Sequence, residues 1–308
     1  FVVRRIVPIS PTAVPLFVSE KDCGFDKKCL EPFLNSLRAS GYKDEVILFG
    51  CNVSSDAKVF LAHHKVRFIQ YRAIRFKKIY PLRDLCAKLF RSGDKVFSKH
   101  IYACRDIIMK LFWHCQASRY YFYDDFLRKS RVKYEKILIC DVRDTVFQKY
   151  PFPGRMESDI YCFEEYPDIK FFQQRHNRSG IIELFGEDTL MELGGKTIIC
   201  SGIILGTHDG MARFLRAMKS LLCKHNAAQG YDQSVLNYLI YKNYLPGIRV
   251  VPFAQGPVMH IGITPREKIN TGKNGEVLCN DGNVCPIVHQ YDRHFDIQVN
   301  ILKRYGSL

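Results

Sequence analysis

Apolar positions along the chain fall into short continuous runs alternating with stretches of helical spacing, the pattern of a mostly parallel sheet covered by helices. Val14–Ser19 (VPLFVS) reads as a strand, and Asp26–Ala39 as a helix with Leu30, Phe33, Leu34 and Leu37 on one face and Gly41 as its stop. Glu45–Phe49 and Val66–Tyr71 read as strands flanking a helix at Ser54–His64, with Ser54 as N-cap. His100–Leu127 is one long helical stretch rich in aromatics, Tyr120, Tyr121, Phe122, Tyr123 and Phe126 reading as core packing. Lys136–Cys140 (KILIC) is a buried strand ending at Asp141. Beyond it, Asp159–Phe163 and Thr197–Leu205 read as strands, and Asp209–Cys223 and Asp232–Tyr241 as helices. Val277–Val288 holds an Asn280-Asp281-Gly282-Asn283 turn between two short strands. With no repeat, low-complexity tract or long linker, the expectation is one α/β domain over 1–308. Residues 1–135 supply its N-terminal βα units, and 136–308 a ligand site and an acceptor half.

Composition adds partners and compartment. An excess of 46 Lys+Arg over 31 Asp+Glu gives +15, which favours anionic partners, with local clusters at Arg72–Lys78 and Arg128–Lys133. No nucleic-acid-binding signature accompanies that charge, and no apolar run is long enough to span a bilayer. The chain opens on Phe1, so a fragment is expected, with any anchor or signal segment upstream. Of the 12 cysteines, Cys23/Cys29 and Cys279/Cys285 are spaced to close small disulfide rings, while Cys140 and Cys200 read as buried thiols. With the sequons Asn52-Val53-Ser54 and Asn177-Arg178-Ser179, these cysteines tilt the expectation to the secretory pathway and the Golgi lumen.

The chemistry centres on KILICDVRDTVFQKYPF, where an apolar strand runs into Asp141 and Asp144. Ligand crevices of open α/β sheets lie at the carboxyl ends of strands, and hard carboxylate oxygens there suit Mg²⁺ or Mn²⁺ bridging a diphosphate. The surrounding order is Ser118-Arg119-Tyr120, this strand, Cys200-Ser201-Gly202, Asp232-Gln233 through Asn237, and His289. Over about Ser118–Asp292 that order resembles GT-A glycosyltransferases of the glycogenin-like group and related plant cell-wall nucleotide-diphospho-sugar transferases.

The resemblance implies a Rossmann-like GT-A fold, with Asp141, Asp144 and His289 as ligands of Mn²⁺ or Mg²⁺. It implies a nucleoside diphosphate sugar, UDP-linked, bound by Arg119, Asp141, Arg143 and the Ser201-Gly202 backbone turn. Asp232 and Gln233 resemble the catalytic pair beside the transferred sugar. Transfer to a hydroxyl of a glycan or glycoprotein with retention is then expected, the leaving phosphate taking the acceptor proton. Nucleic acid is not an expected partner, and the membrane is expected only through an upstream segment.

The pattern departs from that family in three places. The acidic pair is spaced D-x-x-D with Arg143 inside it, Cys200 replaces an asparagine, and the tail reads HQYDRH, leaving Arg293 or Lys273 to bind the diphosphate. Three simpler readings stand beside it. Arg119 pairs with Asp124 or Asp125 along its helix, Asp232 caps the helix it begins, and His260 is a satisfied loop histidine. An inverting enzyme would draw a base from Asp292 or Glu164, and Glu164 and Glu165 are placed to face an acceptor. A sugar-nucleotide pyrophosphorylase is disfavoured because Val2–Ser19 has no glycine, and the non-catalytic alternative is a glycan- or polyanion-binding domain.

Overall fold

A computed structural model describes residues 2–5, 24–50, 52–71, 85–88, 90, 99–152, 154–225 and 231–306. Its strands are β1 (Val2–Arg5), β2 (Gly24–Phe25), β3 (Val46–Gly50), β4 (Asn52–Val53), β5 (Val66–Gln70), β6 (Tyr134–Cys140) and β7 (Thr145–Phe147). They continue with β8 (Ile160–Glu164), β9 (Ile199–Gly206), β10 (Ile248–Val251), β11 (Val258–His260) and β12 (Ile287–His289). The expected strand Val14–Ser19 and the basic cluster Arg72–Lys78 lie outside the described residues.

The fold is mixed α/β. Seven strands form one sheet in the order β10-β8-β9-β6-β1-β3-β5. The expectation of a mostly parallel sheet needs correction: β10·β8 and β3·β5 pair in parallel, whereas β8·β9, β9·β6, β6·β1 and β1·β3 pair antiparallel. Five strands share one direction, but the reversed β1 and β9 flank β6 and convert the central ladders to antiparallel. From β1 the strand order runs outward through β3 and β5, then returns to β6 on the other side of β1. That reversal places a crevice at the carboxyl end of β6.

β6 is buried on both faces, Ile137 and Leu138 being fully covered, as its unbroken apolar run requires. One packed cluster takes Leu34 and Phe49 from the first half together with Leu205 and Leu236 from the second. A smaller sheet, β11-β12-β7, has its own apolar cluster around Val146, Met259 and Val288.

The helices start where side chains satisfy their first N–H groups. Asp26 accepts from Cys29 N–H at 2.8 Å to begin Lys27–Ala39, and Ser54 accepts from Ala57 N–H to begin Ser55–His63. The single helix expected over His100–Leu127 is instead two, Lys99–Phe112 and Cys115–Lys129. His114 between them is extended and accepts the Gln116 N–H with its ring, so it caps the second helix rather than continuing the first. Among the described residues no helix is long and apolar enough to cross a membrane.

Ten cysteines lie among the described residues, and no disulfide joins any two of them. The Cys279 and Cys285 thiols are hydrogen-bonded to one another but not joined, and backbone closes the ring. Cys279 N–H donates to Asn283 O, Cys285 N–H donates to Val277 O, and Gly282 takes the positive φ of the turn. Cys23 of the other expected pair lies outside the described residues.

Candidate metal centre and cleft

Two strand pairings build the centre. Asp141 leaves the end of β6 with its N–H donated to Gly202 O, one step beyond the β6·β9 ladder. Asp144 stands immediately before β7, and β7 pairs with β12 so that Thr145 lies opposite His289. Gln290 N–H donates to Asp144 O at 2.6 Å and fastens the two segments. The extra residue in D-x-x-D is therefore absorbed in the turn from β6 to β7, and Asp144 arrives beside the imidazole. Nε2 of His289 lies 3.3 Å from an Asp144 oxygen and 3.9 Å from an Asp141 oxygen. The three ligand atoms lie within 4.8 Å of one another.

A divalent cation fits this set. Adjacent oxygen or nitrogen ligands of an octahedral ion with ~2.1 Å bonds stand about 3 Å apart, and opposite ones about 4.2 Å. His289 is 1% exposed, and its Nε2 is buried without a hydrogen-bond partner although both carboxylates are near. Two carboxylates and one imidazole suit Mn²⁺ or Mg²⁺ better than a soft ion. Burial pushes Asp141 up to about 6 against the pull of Arg119 and His289. Burial also works to raise Asp144 and lower His289, but their mutual attraction wins, leaving Asp144 below the usual carboxylate range and His289 above its usual value.

Arg119 lies behind the centre, 2% exposed, on the helix Cys115–Lys129. One nitrogen donates to Asp141 at 2.6 Å, and the other donates to the Asp232 carboxylate and to Ser201 O. The simpler reading of Arg119 is thereby overturned, since Asp124 and Asp125 take Arg128, Lys110, Lys129 and Lys219 instead. Asp232 is the first residue of its helix rather than the cap, and also accepts from Tyr120 OH at 3.0 Å. Gln233 accepts the Ser201 N–H at 3.1 Å and donates to Asn177 Oδ1 at 3.1 Å.

These groups open on a cleft of about 370 Å³ that Arg119, Asp141, Arg143, Asp144, Ser201, Gly202, Asp232, Gln233 and His289 all line. Every residue that the resemblance implied as metal ligand, donor contact or catalytic pair thus lines one cavity. Arg293 also lines it; Lys273 does not. Of the two glutamates Glu165 reaches the cleft and Glu164 does not, and burial raises the Glu165 carboxyl.

Four expectations change. Ser201 and Gly202 form no turn but sit inside the eight-residue β9. Gly202 is needed because a Cβ there would fall on Cε1 of His289 and 2.7 Å from its Nε2. Asn177 is 1% exposed and bonded to Gln233, so its sequon offers no accessible amide. The Arg128–Lys133 cluster is partly answered by carboxylates, Arg128 and Lys129 by Asp125 and Lys133 by Asp209. Finally, His260 is no loop residue: it ends β11, fully buried, with Nδ1 2.8 Å from Nδ1 of His289. Sequence spacing had no means of finding that contact across 29 residues.

No protein-family model matches the chain, and no curated protein matches it either.

Proposed function

We propose that this chain is a metal-dependent glycosyltransferase of the GT-A type, taking a nucleoside diphosphate sugar, UDP-linked, and passing the sugar to an acceptor hydroxyl with retention. One observation carries the reading. Five segments distant in sequence, contributing Arg119, Asp141 with Asp144, Ser201 with Gly202, Asp232 with Gln233, and His289 with Arg293, converge on one cleft at the carboxyl end of β6. Fold alone would not license the conclusion; the side-chain set supports it.

Asp141, Asp144 and His289 would hold the cation, Mn²⁺ or Mg²⁺, whose chemistry is to neutralise negative charge on a departing diphosphate. Arg143 and Arg293 line the same cavity and add cationic contact for phosphate oxygens. Asp232, held by Arg119 and Tyr120, keeps a fixed acceptor for a sugar hydroxyl. Gln233, held by Ser201 N–H, presents its amide beside it. In the reaction the bond from the anomeric carbon to the diphosphate breaks, the bond to the acceptor oxygen forms, and the acceptor proton passes to the leaving phosphate. No side-chain base is required. That suits a cleft in which Asp141, Asp144 and Asp232 already face Arg119 or His289.

The test is nucleotide release from a panel of nucleoside diphosphate sugars by chelator-treated protein, with and without Mn²⁺. Metal-dependent UDP release with at least one donor, absent in Asp144→Ala at an unchanged melting temperature, is the expected result. Silence across the panel, or full turnover by Asp144→Ala, overturns the reading.

A further inference from the structure

β11 and β12 run parallel with His260 directly opposite His289. Side chains at paired positions of neighbouring strands leave the sheet on one face about 4.8 Å apart, so the register alone sets the two rings side by side. Their planes cross at 83° with centroids 5.0 Å apart, and the Nδ1 atoms are 2.8 Å apart. Both residues are buried, and Ile261 N–H donates to His289 O at 3.0 Å, pinning the backbone between them.

Cys200 Sγ also approaches His289 Nδ1, at 3.7 Å, and the Cys200, His260 and His289 donor atoms lie within 4.8 Å of one another. A second, softer ion is nevertheless the poorer account. Two nitrogens on one tetrahedral zinc with ~2.05 Å bonds stand about 3.3 Å apart. The observed 2.8 Å is the length of a hydrogen bond.

One of the two Nδ1 atoms must carry the proton. If His260 donates, neutral His289 keeps its own proton on Nε2, where it points at Asp141 and Asp144 and blocks a cation. If His289 donates, its Nε2 can offer a lone pair to the space between the carboxylates. We propose that His260 is a positioning residue of the metal centre, its Nδ1 accepting the Nδ1–H of His289 and thereby fixing the tautomer and ring plane that open Nε2 to the cation. Gly202 completes the placement on another side of the ring, where no Cβ fits. The inference rests on the metal reading above.

The test is Mn²⁺ binding by calorimetry to chelator-treated native protein, His260→Leu and His260→Asn. Leucine fills the site without an acceptor, whereas asparagine places an amide oxygen near the Nδ1 position. Partners that orient a metal-binding histidine are worth about 10–100-fold in metal affinity, so His260→Leu is expected to bind Mn²⁺ weaker by that factor. His260→Asn recovers most of the loss. Should the leucine variant not fold, His260→Phe, which keeps a ring without nitrogen, replaces it. Two outcomes overturn the His260 role and leave the metal centre standing: native and leucine proteins binding Mn²⁺ equally, or asparagine binding no better than leucine. Native protein that takes up no Mn²⁺ overturns both.

Discussion

The most exacting perturbation of the centre is one methyl group. In Gly202→Ala the added Cβ would lie 2.7 Å from His289 Nε2 and closer still to Cε1. Contacts under about 3 Å have to be relieved by movement of one side or the other. The strand cannot move freely, because Gly202 O accepts from Asp141 N–H at 2.9 Å one step beyond the β6·β9 ladder. The ring is held from behind by His260. Overpacking of this kind costs about 1–3 kcal/mol. For a chain of this size that is a fall in melting temperature of several degrees, at about 2–4 °C per kcal/mol. The larger effect falls on the cation: a ring displaced by about 1 Å no longer meets the ~2 Å bond length, so Mn²⁺ affinity is expected to drop at least about tenfold. Calorimetric Mn²⁺ titration beside a thermal melt reads both effects. Alanine protein that binds Mn²⁺ within twofold of native, at native stability, refutes the packing argument and the ligand role of His289 with it.

Arg119→Leu leaves Asp232 and Asp141 without their shared cation, and removing one partner of a buried ion pair costs about 3–5 kcal/mol, so the melt should fall by roughly ten degrees. An unchanged melt would show the guanidinium to be dispensable. Mn²⁺ affinity should weaken as pH falls through about 6, because the raised Asp141 carboxyl ligates only when deprotonated; calorimetry between pH 5.5 and 7.5 that finds no slope removes Asp141 from the ligand set. Asn177 should carry no glycan when the chain is made in a secretory host, and intact mass showing occupancy there would contradict its burial.

What could be read from residue order was chemistry attached to strong local patterns. Asp26 and Ser54 announce helix starts because capping is a contact across three residues. Asp141 follows the short apolar run Ile137–Cys140, which reads as a buried strand, and the carboxyl end of such a strand is where ligands gather. Arg119, Asp232 and His289 were recognisable only through their order. What stayed hidden depends on register. His260 meets His289 because β11 and β12 pair in parallel, and Glu165 rather than Glu164 reaches the cleft because successive residues alternate sides. The sense of β1 against β6 is likewise a tertiary outcome, and the break at His114 rests on a local cap by an imidazole, neither of which helical spacing and apolar runs encode.

The guanidinium of Arg119 makes one electrostatic unit of two carboxylates on separate elements, Asp141 after β6 and Asp232 at the start of a helix. A cation drawn to Asp141 competes for part of the charge that Arg119 now neutralises, and frees that arginine to bind Asp232 more firmly. The reverse follows by thermodynamic reciprocity: whatever binds Asp232 from the cleft changes the affinity for metal by the same factor. On the proposed function, binding of the ion and of the donor is therefore expected to be coupled through a single buried side chain, with no domain movement required.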